Sequence, residues 1–323
     1  MIRSFLSSAS SWQDDSLTSP VSRLAIIGIG LIGSSIARAA KDHSACETIC
    51  LYDGSADVRA RAGEIGLGEI ADTVTACVKD ADLIILCTPV GVMGEIAEAM
   101  APALKSGAIV SDVGSVKSAV QEAVAPHIPE GVHFIAGHPI AGTEKSGPDA
   151  GFASLFEGRW CIITPPDEHE DEASVQTLTK FWEALGSTVE VMSVSRHDRV
   201  LAITSHLPHL IAFNIVGTAH DLESVTEGEV VKFSAGGFRD FTRIAASDPV
   251  MWRDVFLNNK EAVLEMLGRF NEDLSALQRA IRWGDGEQLR SFFDRSRGIR
   301  KSIIDAGQDT ADDDFGRGKP SSK

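Results

Sequence analysis

Short apolar, β-branched runs alternate with stretches of helical period from Arg23 to about Met192. The strand candidates are Leu24 to Ile27, Thr48 to Tyr52, Leu83 to Cys87, Ala108 to Ser111, His133 to Ala136, Cys161 to Thr164 and Thr188 to Met192. Such alternation predicts a parallel sheet with crossover helices. After Ser195 the strand signal stops. Val200, Ile203, Leu207 and Leu210, and later Phe256, Val263, Leu267 and Phe270, recur at helical spacing, so the second half is expected to be all or nearly all helix. Pro208 is expected to kink the helix it interrupts. The pattern divides the chain into an α/β domain over 21–193 and a helical domain over 194–306, with the boundary near Ser193 to Arg196. No repeat of solenoid period is present.

Composition narrows the partners. The 323 residues carry 30 Lys and Arg against 46 Asp and Glu, a net charge of −16 that would repel nucleic-acid phosphates and anionic lipid. Neither nucleic acid nor a membrane is expected as a partner, and an anionic substrate would need arginines of its own. No uninterrupted apolar run approaches a membrane span, since even Leu83 to Cys87 is bounded by Asp82 and Pro89. The segments 1–20 and 307–323 are polar and Ser- or Asp-rich, and are expected to be disordered tails. The five cysteines, Cys46, Cys50, Cys77, Cys87 and Cys161, lack CxxC spacing; reduced thiols in a cytoplasmic protein, with no metal, are the expectation.

Gly28-Ile29-Gly30-Leu31-Ile32-Gly33 fits GxGxxG between an apolar run and a helical stretch, which predicts a Rossmann-like dinucleotide site. Gly28 permits the tight turn, Gly30 lets backbone approach a pyrophosphate, and Gly33 allows close packing of helix on strand. Asp53, 20 residues beyond Gly33 at the end of a strand run, can accept hydrogen bonds from ribose hydroxyls and would repel the extra phosphate of NADP, so NAD is the expected cofactor. Thr88 and Pro89 follow the next strand and would end beside it.

Three further clusters carry candidate chemistry. Asp112-Val113-Gly114-Ser115-Val116-Lys117 follows a strand candidate and should reach the carboxyl edge of the sheet. The segment 137–147, GHPIAGTEKSG, follows another and looks like a site loop; it holds His138, Thr143 and Glu144. His138 is suited to accept a proton near neutral pH. Arg239 and Arg243 fall four residues apart and would share one helix face.

Taken in order, GIGLIG, DVGSVK, GHPIAGTEKSG, SHLPH, GGFRDFTRIA and SDPVMWRD resemble the prephenate and arogenate (cyclohexadienyl) dehydrogenase family from about Arg23 to Ile304. The resemblance implies oxidative decarboxylation of prephenate or arogenate with NAD in tyrosine biosynthesis, and a C-terminal helical dimerisation domain, hence a homodimer. It implies His138 as the acceptor of the hydroxyl proton and Ser115 as the residue placing the hydroxyl and the nicotinamide. Arg243 matches the arginine that binds a substrate carboxylate, and His209 a pocket histidine, although spacing alone leaves His206 open. Glu144, Arg239 and Trp252 match positions that gate the pocket; Arg239 stands where some relatives carry lysine. Some relatives have a fused mutase or a ligand-sensing domain, whereas only a short polar tail follows Asp305 here, so feedback by tyrosine is expected to act at the active site.

Two other readings are weaker. A β-hydroxyacid dehydrogenase would place an asparagine one helical turn after a catalytic lysine, but Lys260 follows Asn258 and Asn259 and has Leu264 after it. A catalytically silent NAD-binding protein would not need Ser115, His138 and Arg243 together.

Overall fold

The structure is a computed structural model that describes residues 19–143, 145–166, 173–223 and 232–305. Glu144 and the expected tails, apart from Ser19 and Pro20, lie outside the described residues. The chain forms two compact units, one up to Val263 and one from Leu264 on.

The first unit is built on six parallel strands: β1 (Val21–Ile27), β2 (Cys46–Tyr52), β3 (Glu69–Ile70), β4 (Leu83–Leu86), β5 (Ile109–Asp112) and β6 (His133–Phe134), in the spatial order β3-β2-β1-β4-β5-β6. The order reverses between β1 and β4, so the loops leaving their carboxyl ends diverge and open a crevice there. Both faces are covered, which is why the strands read as continuous apolar runs. Leu24 and Ile26 face a core shared with α1 (Leu31–Asp42), Phe156, Phe181 and Trp182; Ala25 and Ile27 face a second core with Met93, Met100, Val120 and Val124. The short β3 was not predicted.

The expected single parallel sheet is corrected by the last three strands. β7 (Ala136–Pro139), β8 (Trp160–Thr164) and β9 (Thr188–Val191) form a separate sheet, with β7 antiparallel to β8 and β9 parallel to β8. The run predicted as one strand, His133 to Ala136, breaks at the buried Ile135: β6 completes the large sheet and β7 starts the small one. His138 is therefore a strand residue, and the predicted site loop begins only after Pro139.

After β9 the described residues are helical, as predicted. α7 (Val194–Leu201) passes through a π-helical turn (Ala202–His206) into α8 (Leu207–Glu223). The π turn sits just ahead of Pro208, which cannot donate into the ladder, so the distortion appears as a local widening rather than a break. Joined in this way, Val194–Leu222 is one helix with an 18-residue window of mean hydropathy 1.5, long and apolar enough by length and composition to cross a membrane. No uninterrupted apolar run marks it in the sequence, because polar residues interrupt it at Ser195 to Arg199, at Thr204 to His206 and at His209. The same profile fits a core or interface helix of a globular protein. α9 (Gly236–Thr242) and α10 (Pro249–Asn258) follow. The second unit consists of the later part of α11 (Lys260–Trp283) and α12 (Gly286–Asp305), turned at Gly284 with φ +70°.

Candidate active site

The crevice at the strand-order reversal has the shape of a dinucleotide cradle. Gly28 turns the chain at φ +99° while its N–H donates to the Tyr52 carbonyl at 2.8 Å. A Cβ on Gly33 would lie 2.0 Å from the Gly28 carbonyl oxygen, so only glycine lets α1 start this close to β1. A Cβ on Gly30 would meet open space, and no side chain caps α1, whose first turn holds Leu31 and Ile32. Such a helix N-terminus favours an anion. Asp53 closes the far side: its Oδ2 accepts from the Ile29 N–H at 2.8 Å and its Oδ1 from the Ser55 N–H at 2.9 Å, which pins the two turns to one another. Thr88 Oγ1 is buried and makes no hydrogen bond, and Pro89 starts the turn leaving β4. An open backbone approach, an uncapped helix start and a buried hydroxyl lacking a partner all fit a bound dinucleotide. Gly33→Ala is expected to cost about 1–3 kcal/mol of stability, the scale of an overpacked core, and to abolish dinucleotide binding. Thermal unfolding and a cofactor titration check this; a variant that binds normally would show that the cradle does not depend on this contact.

Beside the crevice a buried polar framework grips the backbone next to His138. Asp112, at the end of β5, accepts from the Gly137 N–H at 3.1 Å, from the Gly114 N–H at 2.7 Å and from Lys117 Nζ at 2.5 Å. Lys117 Nζ also donates to the Gly137 carbonyl at 2.6 Å, so one fully buried ion pair holds both polar groups of Gly137. His138 itself is 8% exposed. Its Nδ1 lies 2.9 Å from His197 Nε2, and His197 Nδ1 lies 2.8 Å from Asp198 Oδ1. Asp198 further accepts the N–H groups of Lys117 and Ser118 at 2.8 and 2.9 Å, tying α7 to the start of α5 (Ser118–Val124). Burial first, then His197 and Lys117, push the His138 pKa well below its ordinary value. Burial likewise lowers His197, against the pull of Asp198. Burial alone would raise Asp198, but the bonds from His197, Ser118 and Lys117 bring it down to about 2.

The helical residues separate into support and surface. His206 is fully buried, its Nδ1 3.0 Å from Asn259 Nδ2, which also donates to the Asp198 carbonyl at 2.9 Å; burial brings the His206 pKa down to about 4. His209 is half-buried, bonded through Nδ1 to the Ser205 carbonyl at 2.9 Å and stacked on Trp252 at 3.7 Å between ring centroids. Trp252, 6% exposed, belongs to a small core with Val116 and Val255. Burial lowers the His209 pKa, and nearby Arg243 adds to that effect against the Ser205 bond. Arg243 is exposed and starts a 3₁₀ turn, Arg243–Ala246, while Arg239 lies in α9. The helix carrying Arg239 ends at Thr242, with Arg243 as its C-cap in helical backbone conformation. Ser115 is half-buried in the β5–α5 loop and Thr143 is exposed. Sequence reasoning missed His197, Asp198 and Asn259. The available signal was a His-Asp pair one turn into a helix capped by Ser193, at the predicted boundary.

Comparison with known proteins gives concordant matches. The family described as prephenate dehydrogenase, nucleotide-binding domain, matches residues 36–191, and that described as prephenate dehydrogenase, dimerization domain, matches 193–295. A cyclohexadienyl dehydrogenase of Zymomonas mobilis is 44% identical over 87% of this chain and 95% of its own length. A prephenate dehydrogenase of Bacillus subtilis is 33% identical over 86% of this chain and 75% of its own. The crystal structure of prephenate dehydrogenase from Aquifex aeolicus in complex with hydroxyphenyl propionate and NAD+ has a TM-score of 0.82 at 34% identity, covering 89% of this chain and 99% of that one. With both halves of the chain matched and relatives above 30% identity over most of its length, the protein belongs to the prephenate dehydrogenase family.

Proposed function

We propose that this protein oxidatively decarboxylates prephenate, arogenate or both with NAD, in tyrosine biosynthesis. The observation that carries the reading is a buried imidazole, His138, anchored through Gly137 to the carboxyl end of β5 beside the dinucleotide cradle. Bound NAD supplies the hydride acceptor. Gly28, Gly30, Leu31, Ile32 and Gly33 hold its pyrophosphate against the start of α1. Asp53, whose oxygens each keep a further lone pair, accepts from the adenosine ribose, and Thr88 and Pro89 line the floor. His138 takes the hydroxyl proton as hydride leaves the same carbon, and Ser115 orients that hydroxyl. The ring carboxylate then departs as carbon dioxide, its electron pair entering the ring, and the oxygen recovers its proton from His138. Substrate, cofactor and protein charges balance over the cycle.

Arg243 binds a substrate carboxylate, for which a guanidinium fork suits a planar anion. His209, half-buried and stacked on Trp252, serves as the pocket histidine, whereas His206 is fully buried. Thr143 binds substrate, and Glu144 and Arg239 are assigned to gating of the pocket from the family resemblance alone. We place the domains at 21–193 and 194–306, supported by the meeting of the two family matches between 191 and 193. The second copy of a homodimer covers the apolar side chains that the helical half leaves exposed, among them Leu222, Leu257, Ile281 and Trp283. That reading accounts for the apolar helix Val194–Leu222 without a lipid partner, and the net acidity accords with a cytoplasmic protein that binds neither nucleic acid nor membrane.

The test is NADH formation, followed spectrophotometrically with prephenate and with arogenate, and with NADP replacing NAD. Turnover with at least one substrate and preference for NAD are expected; absence of turnover with both would overturn the reading. The depressed pKa of His138 fixes the sign of the pH dependence. Because the base is active when neutral, kcat/KM should hold its plateau as pH falls past the ordinary histidine value of 6.5 and decline only further into acid. A decline centred at or above 6.5 would contradict the buried, neutral base.

A further inference from the structure

We infer that His197 and Asp198 are positioning residues that hold His138 as its Nδ1–H tautomer, which leaves Nε2 as the basic atom of the ring and gives a buried path for the charge created when Nε2 takes a proton. The inference deepens the functional reading above and rests on it for the proton-transfer step, although the tautomer itself does not.

The direction of every hydrogen in this chain follows from one carboxylate. Asp198 accepts three N–H groups, two from backbone and one from His197, a set that only the ionised form satisfies without conflict. His197 Nδ1 must then carry hydrogen. A neutral imidazole with hydrogen on Nδ1 has a lone pair on Nε2, and that atom faces His138 Nδ1 at 2.9 Å. His138 Nδ1 must therefore be the donor. The alternative, with hydrogen on His138 Nε2, would press two lone pairs together in a site from which water is excluded, since His197 is fully buried.

The surrounding charges make Asp198 the counter-ion of the histidine pair. Lys117 and Asp112 neutralise one another, and His206 is engaged by Asn259. Cys161, on the strand paired with β7, is a buried thiol whose pKa burial pushes well up, so it brings no charge. When His138 Nε2 takes the substrate proton, the ring becomes a cation that still donates from Nδ1 to His197, and the polarised His197 donates more strongly to Asp198. No covalent bond in the relay needs to break. The cation exists only while the proton is on loan from the substrate, so the stabilisation acts on the reacting state and not on substrate binding. A histidine between base and carboxylate also sets the base at a distance from the full negative charge, which keeps it neutral beforehand.

Imidazole ¹⁵N chemical shifts of the histidine-labelled apoprotein, with His138 assigned through a His138→Asn sample, give the tautomer directly. The expected result is hydrogen on Nδ1 of both His138 and His197; hydrogen on His138 Nε2 in the unmodified protein would overturn the inference with no variant needed. His197→Phe is expected to lower kcat by roughly 10- to 100-fold with KM and NAD affinity within about threefold, and to give His138 a mixed tautomer. His197→Gln, whose Oε1 can accept from His138 Nδ1, should recover most of the rate. Wild-type kcat in His197→Phe, or a loss confined to KM, would overturn the relay. Should His197→Phe not fold, the unmodified spectrum and the Gln variant still decide. An unmodified protein that forms no NADH from either substrate would instead overturn the functional reading, while the spectrum would judge the tautomer separately.

Discussion

His138→Asn is expected to lower kcat by about 10²- to 10⁴-fold while NAD binds as before. The asparagine is smaller than the imidazole and polar, so it leaves the strand pairing of β7 with β8 intact, where His138 lies opposite Ile162. The cradle residues lie on β1, α1 and the turns after β2 and β4, none of which His138 supports. What disappears is the acceptor: a carboxamide oxygen takes a hydrogen bond but does not hold a proton at neutral pH. The hydroxyl proton must then leave to water or stay in place as hydride departs, and positive charge builds on the carbon. Steady-state NADH formation gives kcat and a fluorescence titration gives the NAD affinity. A kcat within threefold of the parent would remove His138 from the chemistry; a parallel loss of NAD affinity would mean that the residue supports the fold of the crevice instead.

Lys117→Met should produce the largest loss of stability of any single change near the site. Lys117 and Asp112 are both fully buried, and their contact is 2.5 Å. Burial lowers the Lys117 pKa and the attraction to Asp112 opposes that shift. Removing the ammonium leaves a buried carboxylate without its counter-charge, a change that typically costs about 3–5 kcal/mol, and it also frees the Gly137 carbonyl. For a domain of this size the melting temperature should fall by about 10 °C. Adding Asp112→Asn to Lys117→Met removes the stranded charge and should restore part of the loss. Calorimetric melting of the two single variants and the double distinguishes an ion pair from mere packing: additive losses would rule out the coupling. Because this pair holds both polar groups of Gly137, the surviving folded fraction of Lys117→Met should also turn over more slowly.

The parts of this molecule that were legible in the sequence are those encoded locally. Gly28 to Gly33 and Asp53 announce a turn, a helix start and a strand end through spacing alone, and the apolar runs of β1, β4 and β5 reflect burial on both faces. Features set by contacts across the chain were not legible. The run from His133 to Ala136 has uniform strand character, and only the packing of Ile135 into the core and the pairing of Ala136 with Thr164 decide that it splits between two sheets. His197 stands 59 residues from His138, so nothing in its neighbourhood advertises the bond between them. The ambiguity between His206 and His209 could not be resolved by spacing, because three residues along an ideal helix keep a shared face. In the structure both rings stand against Trp252, and they differ in burial: His206 is fully buried against Asn259, whereas His209 is half-buried. The passage from α9 into the 3₁₀ turn at Arg243 was not legible either, since no residue near Thr242 marks the end of the helix.

The most direct test of the central proposal is a crystal structure of the ternary complex with NAD and a phenolic product analogue. The account predicts His138 Nε2 within hydrogen-bonding reach, about 3 Å, of the analogue's ring oxygen, with the ring carbon bearing that oxygen facing C4 of the nicotinamide. A complex in which protein side chains fill the space between His138 and the nicotinamide, leaving no room for a six-membered ring, would contradict it.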